Sequence, residues 1–141
     1  MAESITLQTS DSSIVANDVL GRLSYASSSE TDGGDAILIG GSIYAIAENT
    51  FTASSNPTSI IFATASSESA TAKLKVTSGG DLYPVTTNIY DIGGPSNQFQ
   101  RAYVYDTFYL NGTVFIDRST QKFGADGYAL ASGVIIDGGS P

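Results

Sequence analysis

The strongest constraint on the fold is an alternation of apolar and polar side chains with a period of two residues, which is typical of β-strands. No long window has the helical period of 3.6 residues. The stretch "SIIFATA" is apolar almost throughout, which favours a strand in the middle of a sheet. The predicted strands are the apolar stretch at 59–65 and the alternating stretches at 22–26, 42–48 and 70–77.

The last of these stretches, "ATAKLKVT", gives the cleanest alternation. It predicts a strand that turns Lys73 and Lys75 outward and Leu74 and Val76 inward.

Turn-forming clusters separate these strands at 27–35, 48–58, 65–71 and 78–81. Short strands with such turns between them favour an antiparallel sandwich or barrel. We therefore predict an all-β chain whose residues 1–80 form a sandwich or jelly-roll-like module with an N-terminal arm. One helical turn is predicted at 96–100, with Ser96 as its cap.

The strongest local signal is "VYDTFYLNGTVFID", which predicts a hairpin with Asn111 and Gly112 in a two-residue turn. The predicted pairing places Phe108, Leu110 and Phe115 on one face and mostly apolar residues on the other. A ribbon that is apolar on both sides is not exposed to water. Either it lies between layers of its own chain or other copies cover it, and we favour the second explanation.

The composition excludes several kinds of chemistry. The chain has no cysteine and no histidine, so it has no disulfide, no Ser-His-Asp triad and no ordinary zinc site. Its net charge is −8, with few and scattered cations. Such a chain is repelled by phosphate backbones and anionic membranes, so we expect neither nucleic acid nor membrane as a partner.

The acidic cluster "ETDGGD" brings Glu30, Asp32 and Asp35 together, but it lacks the ligand spacing of a calcium loop. A solvated turn is the better interpretation. No carboxylate pair is marked out for glycoside hydrolysis. We therefore expect no catalytic residue, no cofactor and no metal. The dense tyrosines leave sugar binding open as an alternative to a role in an interface.

Two stretches of the chain resemble tailed-bacteriophage proteins. Residues 18–82 resemble a module of fibre and virion structural proteins, especially of marine and cyanobacterial phages. The shared features are Leu20-Gly21-Arg22, the Ile-x-Ala-x-Ala-Glu strand at 43–48, Asn56-Pro57, Ile61-Phe62-x-Thr64, and the strand and turn at 75–80.

Residues 88–112 resemble a repeat of phage fibre stems. The matching positions are Asp91, Gly93, Asn97, Phe99, Tyr103 and Gly112. The resemblance implies a non-enzymatic, trimeric, β-rich component of a virus particle, with strands of three chains wrapped around one axis.

We therefore expect a homotrimeric virion protein, made in the host cytoplasm and built into a fibre-like part. Residues 81–120 are predicted to form the trimerisation region, a β stem or hairpin, and 121–141 a C-terminal tail. The residues predicted at the trimer interface are Phe99, Tyr103, Tyr105, Phe108, Leu110 and Phe115.

Two other functions stay open at this point. One is a capsid decoration protein that stabilises the shell. The other is a carbohydrate-binding module for receptor recognition. The expected partners are sister copies, other capsid or tail proteins and, through the loops at 27–35 or 48–58, a host surface glycan.

Overall fold

The computed structural model describes residues 3–105 and the strand residues 107–110, 113–117 and 122–123. The described part is all-β apart from a short 3-10 helix at Gly34–Ile37, which confirms the predicted all-β, antiparallel class. None of the helices described is long and apolar enough to cross a membrane. The chain divides into two compact units, Met1–Ile92 and Gly93–Pro141.

The first unit is built on one five-stranded antiparallel sheet. Its strands follow one another in chain order, and β3 is the middle strand, as the sequence predicts. Each connection joins strands that are neighbours in the sheet, so the chain returns beside the strand that it has just left. Within residues 3–92 the strands thus form one layer and not the two of a sandwich. The strands are β1 (Val19–Ala26), β2 (Ile39–Ala47), β3 (Thr58–Thr64), β4 (Thr71–Val76) and β5 (Leu82–Pro84).

The short strand β5 carries the sheet beyond residue 80, where the sequence predicts a boundary. Tyr83 pairs with Lys75 of β4, so the expected start of the trimerisation region lies inside this sheet. Pro84 is tolerated at the end of β5 because β5 is an edge strand, and the next N–H, that of Val85, still donates to the Lys73 carbonyl oxygen at 2.8 Å.

The sheet has two different faces. Residues paired across neighbouring strands lie on the same side. We call one side the apolar face, which carries the rows Leu23, Ile43, Phe62, Leu74, Pro84 and Gly21, Ala45, Ile60, Val76, Leu82. We call the other the mixed face, which carries the row Arg22, Tyr44, Ile61, Lys75, Tyr83.

The buried core of the described residues is small. Its buried apolar side chains are Ala47, Ile61 and Ala63, and none of the large side chains described is fully buried. Leu74 is exposed on the apolar face, so its predicted inward position is wrong for a single chain. Lys75 is instead partly buried on the mixed face. The reason is that the described chain covers little of the apolar face.

An extended arm precedes the sheet and lies against one end of the apolar face. It passes so close to Gly21 that a Cβ atom there would be 2.7 Å from both the Cβ and the carbonyl oxygen of Leu7. Glycine is therefore needed where the arm crosses β1. Ile5 and Leu7 border an open groove of about 280 Å³, whose floor includes Leu23 and Ile43.

The second unit contains a three-stranded antiparallel sheet, in the order β6 (Thr107–Leu110), β7 (Thr113–Asp117) and β8 (Lys122–Phe123). The predicted pairing of β6 with β7 is confirmed, whereas the turn residues Asn111 and Gly112 lie outside the described residues. A two-residue turn at Asn111 and Gly112 would set Phe108 opposite Phe115, but a bulge pairs Phe108 with Ile116, so this part of the predicted register is wrong. A bulge places two residues of one strand opposite one of its partner, which changes the register.

Candidate self-association surface

A tight turn opens the second unit and fixes the start of the segment that follows it. The backbone N–H groups of Gly94 and Asn97 each donate to the other residue's carbonyl oxygen, at 2.9 and 3.1 Å. Gly93, just before this turn, has a φ of 87°, which glycine adopts without strain. The predicted helical turn at 96–100 is therefore wrong. Pro95 follows Gly94 and fits the first central position of a β-turn, where its fixed φ is favourable.

Phe99 packs close to this turn. A Cβ atom added to Gly93 would lie 3.6 Å from the Phe99 ring and 3.2 Å from the carbonyl oxygen of Asn97. This closeness gives a physical reason for the spacing of the glycine, asparagine and phenylalanine in the motif "GGPSNQF". Even so, Phe99 keeps 71% of its surface exposed.

The residues after the turn form an exposed apolar segment, which we define as Phe99, Tyr103, Val104 and Tyr105. Residues 98–105 lie in no helix or strand, and Tyr103 is 86% exposed. One Nη atom of Arg101 donates a hydrogen bond to the Tyr103 hydroxyl at 3.2 Å. Apolar side chains so exposed are typical of a surface that another chain covers.

Three of the six predicted interface residues belong to this segment: Phe99, Tyr103 and Tyr105. The other three lie in strands, Phe108 and Leu110 in β6 and Phe115 in β7. Their side chains lie outside the described part of the structure, so their role at an interface stays a prediction.

Two further exposed apolar residues, Ile89 and Ile92, are not among those predicted from the sequence. Both belong to the end of the first unit, and Ile92 is 90% exposed. The signal was present, because "NIYDI" places large apolar residues among turn-forming ones with no strand pattern to bury them.

On the mixed face, cations lie over tyrosine rings. The guanidinium carbon of Arg22 is 4.1 Å from the ring centre of Tyr44. The Nζ atom of Lys75 is 5.9 Å from the ring centre of Tyr83. Cation–π contacts of this kind stabilise exposed surfaces modestly. They also occupy one side of each ring, which reduces the area available for stacking on a sugar.

Glu48 is the most strongly perturbed carboxylate on this side of the sheet. It accepts hydrogen bonds from the Ser59 hydroxyl at 2.5 Å, and from the Ser78 backbone N–H at 2.9 Å and hydroxyl at 2.5 Å. These bonds, first that from Ser59, lower the pKa of Glu48 to about 2. Glu48 therefore stays ionised at neutral pH and is unsuited to donate a proton there.

Glu48 and Asp81 are the acidic side chains among the described residues that line an open cleft of about 640 Å³ in the first unit. Because Glu48 is occupied by its serine partners, the cleft does not present a free acid and base pair. Elsewhere, the cluster of Glu30, Asp32 and Asp35 lies around a positive-φ turn at Gly33 and Gly34. No group of acidic side chains among the described residues is placed to hold a metal ion.

Comparison with known proteins gives one informative result. No protein-family model matches the chain, and no curated protein does. Among solved structures, the chain is similar to the carboxy-terminal domain of the bacteriophage T5 L-shaped tail fibre with its intramolecular chaperone domain. The TM-score is 0.60 at 18% sequence identity, over 93% of this chain and 33% of that chain. The chain thus has a phage tail-fibre-like fold and spans about a third of the length of that structure.

Proposed function

We propose that the chain is a non-enzymatic structural protein of a bacteriophage particle, and that it assembles as a homotrimer in a tail-fibre component. Its fold supports this assignment, since it is similar to a domain of a phage tail fibre. The observation that carries the proposal is the distribution of apolar side chains. Three are buried among the described residues, whereas twenty large ones are exposed.

Such a distribution is unfavourable for a chain that works alone. Burying an exposed large apolar side chain contributes about 1.5–3 kcal/mol before the costs of ordering and association. The net stability of a domain is only ~5–15 kcal/mol. If the segments of sister copies covered one another, the free energy gained by burying their side chains would therefore be comparable to the free energy of unfolding of a whole domain.

The proposed interface consists of the exposed apolar segment and the strands that follow it. In these strands it includes Phe108, Leu110 and Phe115. Around a three-fold axis, each copy would offer the same segment to two neighbours, as closed cyclic symmetry requires.

Sedimentation equilibrium tests the proposal. We expect a mass of three times the 14.6 kDa chain. Tyr103→Asp places a charge in the apolar segment and should shift the mass toward that of a single chain. The matched control is Gln100→Asp, which adds the same charge to a polar position of the same segment and should leave the trimer intact. A wild-type chain that sediments as a monomer would refute the proposal.

Sedimentation and imaging of the particle distinguish the two alternative functions from the proposed one. A carbohydrate-binding module acting on its own would sediment as a monomer. A capsid decoration protein would also form an assembly, but labelled copies would appear over the shell in images of the particle, whereas a fibre component would appear on the tail.

A further inference from the structure

We propose that the apolar face of the first unit is a second contact surface between copies of this chain. In the trimer, the apolar face of each copy would pack against the same faces of its sisters. This inference rests on the proposed function, but it concerns a surface separate from the exposed apolar segment and lies in the region where the sequence predicts a self-contained module.

The apolar face is exposed even at the centre of the sheet, where side chains are normally most buried. In the middle strand β3, Ile61 on the mixed face is 6% exposed, whereas its neighbour Phe62 on the apolar face is 39% exposed. The residues paired with Phe62 on either side, Ile43 and Leu74, are exposed as well. A sheet that is apolar on one face normally packs that face against another layer.

The chemistry of the face fits a second copy of the same chain. Its two rows carry no charged residue, whereas Arg22 and Lys75 lie on the mixed face. Each copy has a net charge of −8, so copies repel one another at long range, and an uncharged face is where they can pack without bringing carboxylates together. Two sheets pack face to face at about 10 Å when both present apolar side chains, and a sister copy supplies such a face.

The need for a partner that is present during folding also favours sister copies. The buried apolar side chains of the described residues are Ala47, Ile61 and Ala63, so we expect the first unit to need a covered apolar face in order to be stable. The occupant must therefore be present whenever the chain folds, which sister copies always are. The groove beside Ile5 and Leu7 is open and lined mainly by apolar residues, so it is suited to receive an apolar side chain from a neighbour.

Single-cysteine labelling tests the inference, because the chain has no cysteine of its own. Phe62→Cys reports on the apolar face, and Tyr83→Cys, on the mixed face, is the matched control. In a single chain the two positions are 39% and 48% exposed, so their thiols should react with a maleimide at similar rates. In the assembled protein we expect Cys at position 62 to react at least tenfold more slowly, each rate being referred to that of the denatured variant.

Sedimentation of charged variants gives the second measurement. Phe62→Asp should shift the mass toward a single chain, and Tyr83→Asp should not. If Phe62→Asp fails to fold, the labelling rates of Phe62→Cys and Tyr83→Cys alone decide whether the apolar face is a contact surface. A wild-type trimer whose two thiols react equally fast would overturn this inference and leave the proposed function standing. A wild-type monomer would overturn the proposed function itself.

Discussion

Glu48 connects three parts of the first unit through one carboxylate. It follows β2, and it accepts hydrogen bonds from Ser59 at the start of β3 and from Ser78 in the turn between β4 and β5. Both serines donate to the charged form, which explains why the pKa lies below its ordinary value of 4.5. A residue at the rim of a sheet thereby couples strands that are not neighbours in the chain.

The lowered pKa makes the stability of the wild type depend on pH in a defined window. A carboxylate with a depressed pKa contributes stability above its unfolded value, and this contribution is lost as the pH falls through the folded value. For Glu48 the loss should run from about pH 4.5 down to about pH 2. We expect Glu48→Gln to be less stable than the wild type at pH 6, with a difference that shrinks toward pH 2, as measured by urea unfolding across this range.

Glu48 is one of 14 acidic residues in the chain, so the comparison needs a control. Glu68→Gln removes the same charge from an exposed loop and should keep the wild-type pH profile. Because Glu48 is exposed, solvent screens its interactions and the effect should be modest. Parallel profiles for Glu48→Gln and the wild type would contradict this role for the carboxylate.

Gly21 is the residue on which the position of the arm depends. Gly21→Ala would place a Cβ atom 2.7 Å from Leu7, so the arm must move away. We expect the NMR contacts between Leu7 and β1 to be lost, with a decrease of about 1 kcal/mol in the free energy of unfolding, since Leu7 keeps 51% of its surface exposed. Gly40→Ala in β2 is the control, because the nearest atom would be 4.0 Å away. A Gly21→Ala variant that keeps the NMR contacts between Leu7 and β1 would show that the crossing is not tight.

At the scale of elements, the turn at Gly94–Asn97 sets the direction of the segment that follows it. Gly93→Ala combines a positive φ with a contact of 3.2 Å to the Asn97 carbonyl oxygen. We expect a destabilisation of roughly 1–2 kcal/mol in urea unfolding, the cost of the left-handed region for a residue with a Cβ.

Gly94→Ala is the matched control for the turn. A Cβ atom added to Gly94 would meet nothing within 4 Å, so this variant should unfold close to the wild type. Equal midpoints for the two variants would show that the turn does not need the backbone conformation of Gly93.

The strands differ in how well the sequence predicts them. The period of two residues locates β1, β2 and β4 to within about three residues, and a continuous apolar run locates β3. It does not predict β5, since three residues that end in proline are too short to show a pattern. The register of β6 and β7 departs from the simple hairpin because of a bulge, which depends on local backbone geometry.

The candidate surfaces are predicted only in part for a similar reason. Clustered aromatic residues indicate the exposed apolar segment, and Phe99, Tyr103 and Tyr105 are indeed exposed in a single chain. The alternation in β4 predicts that Leu74 and Lys75 lie on opposite faces of the sheet, but it does not predict which face is covered by other residues. That choice depends on what packs against the sheet, and one chain does not encode the positions of its neighbours.

At the scale of the whole molecule, the small core and the many exposed apolar residues have one explanation in the proposed trimer: part of each chain's apolar surface is buried only on assembly. If sister copies complete the core, folding and assembly form one reaction, and the stability depends on protein concentration. A chain that folds alone unfolds at the same temperature at every concentration. The two cases therefore differ in a quantity that requires no substitution.

For three chains that fold and associate together, mass action sets the size of the effect. A hundredfold dilution should weaken the folded trimer by roughly 2 kcal/mol per chain, which lowers Tm by about 5 °C for a chain of this length. Circular dichroism melts at micromolar and at hundred-micromolar protein would measure the shift. We also expect Tyr103→Asp to melt lower than Gln100→Asp at the same concentration, because only the first weakens association. Melting curves that coincide at both concentrations would mean that each chain completes its own core, and the apolar surfaces would then need another explanation.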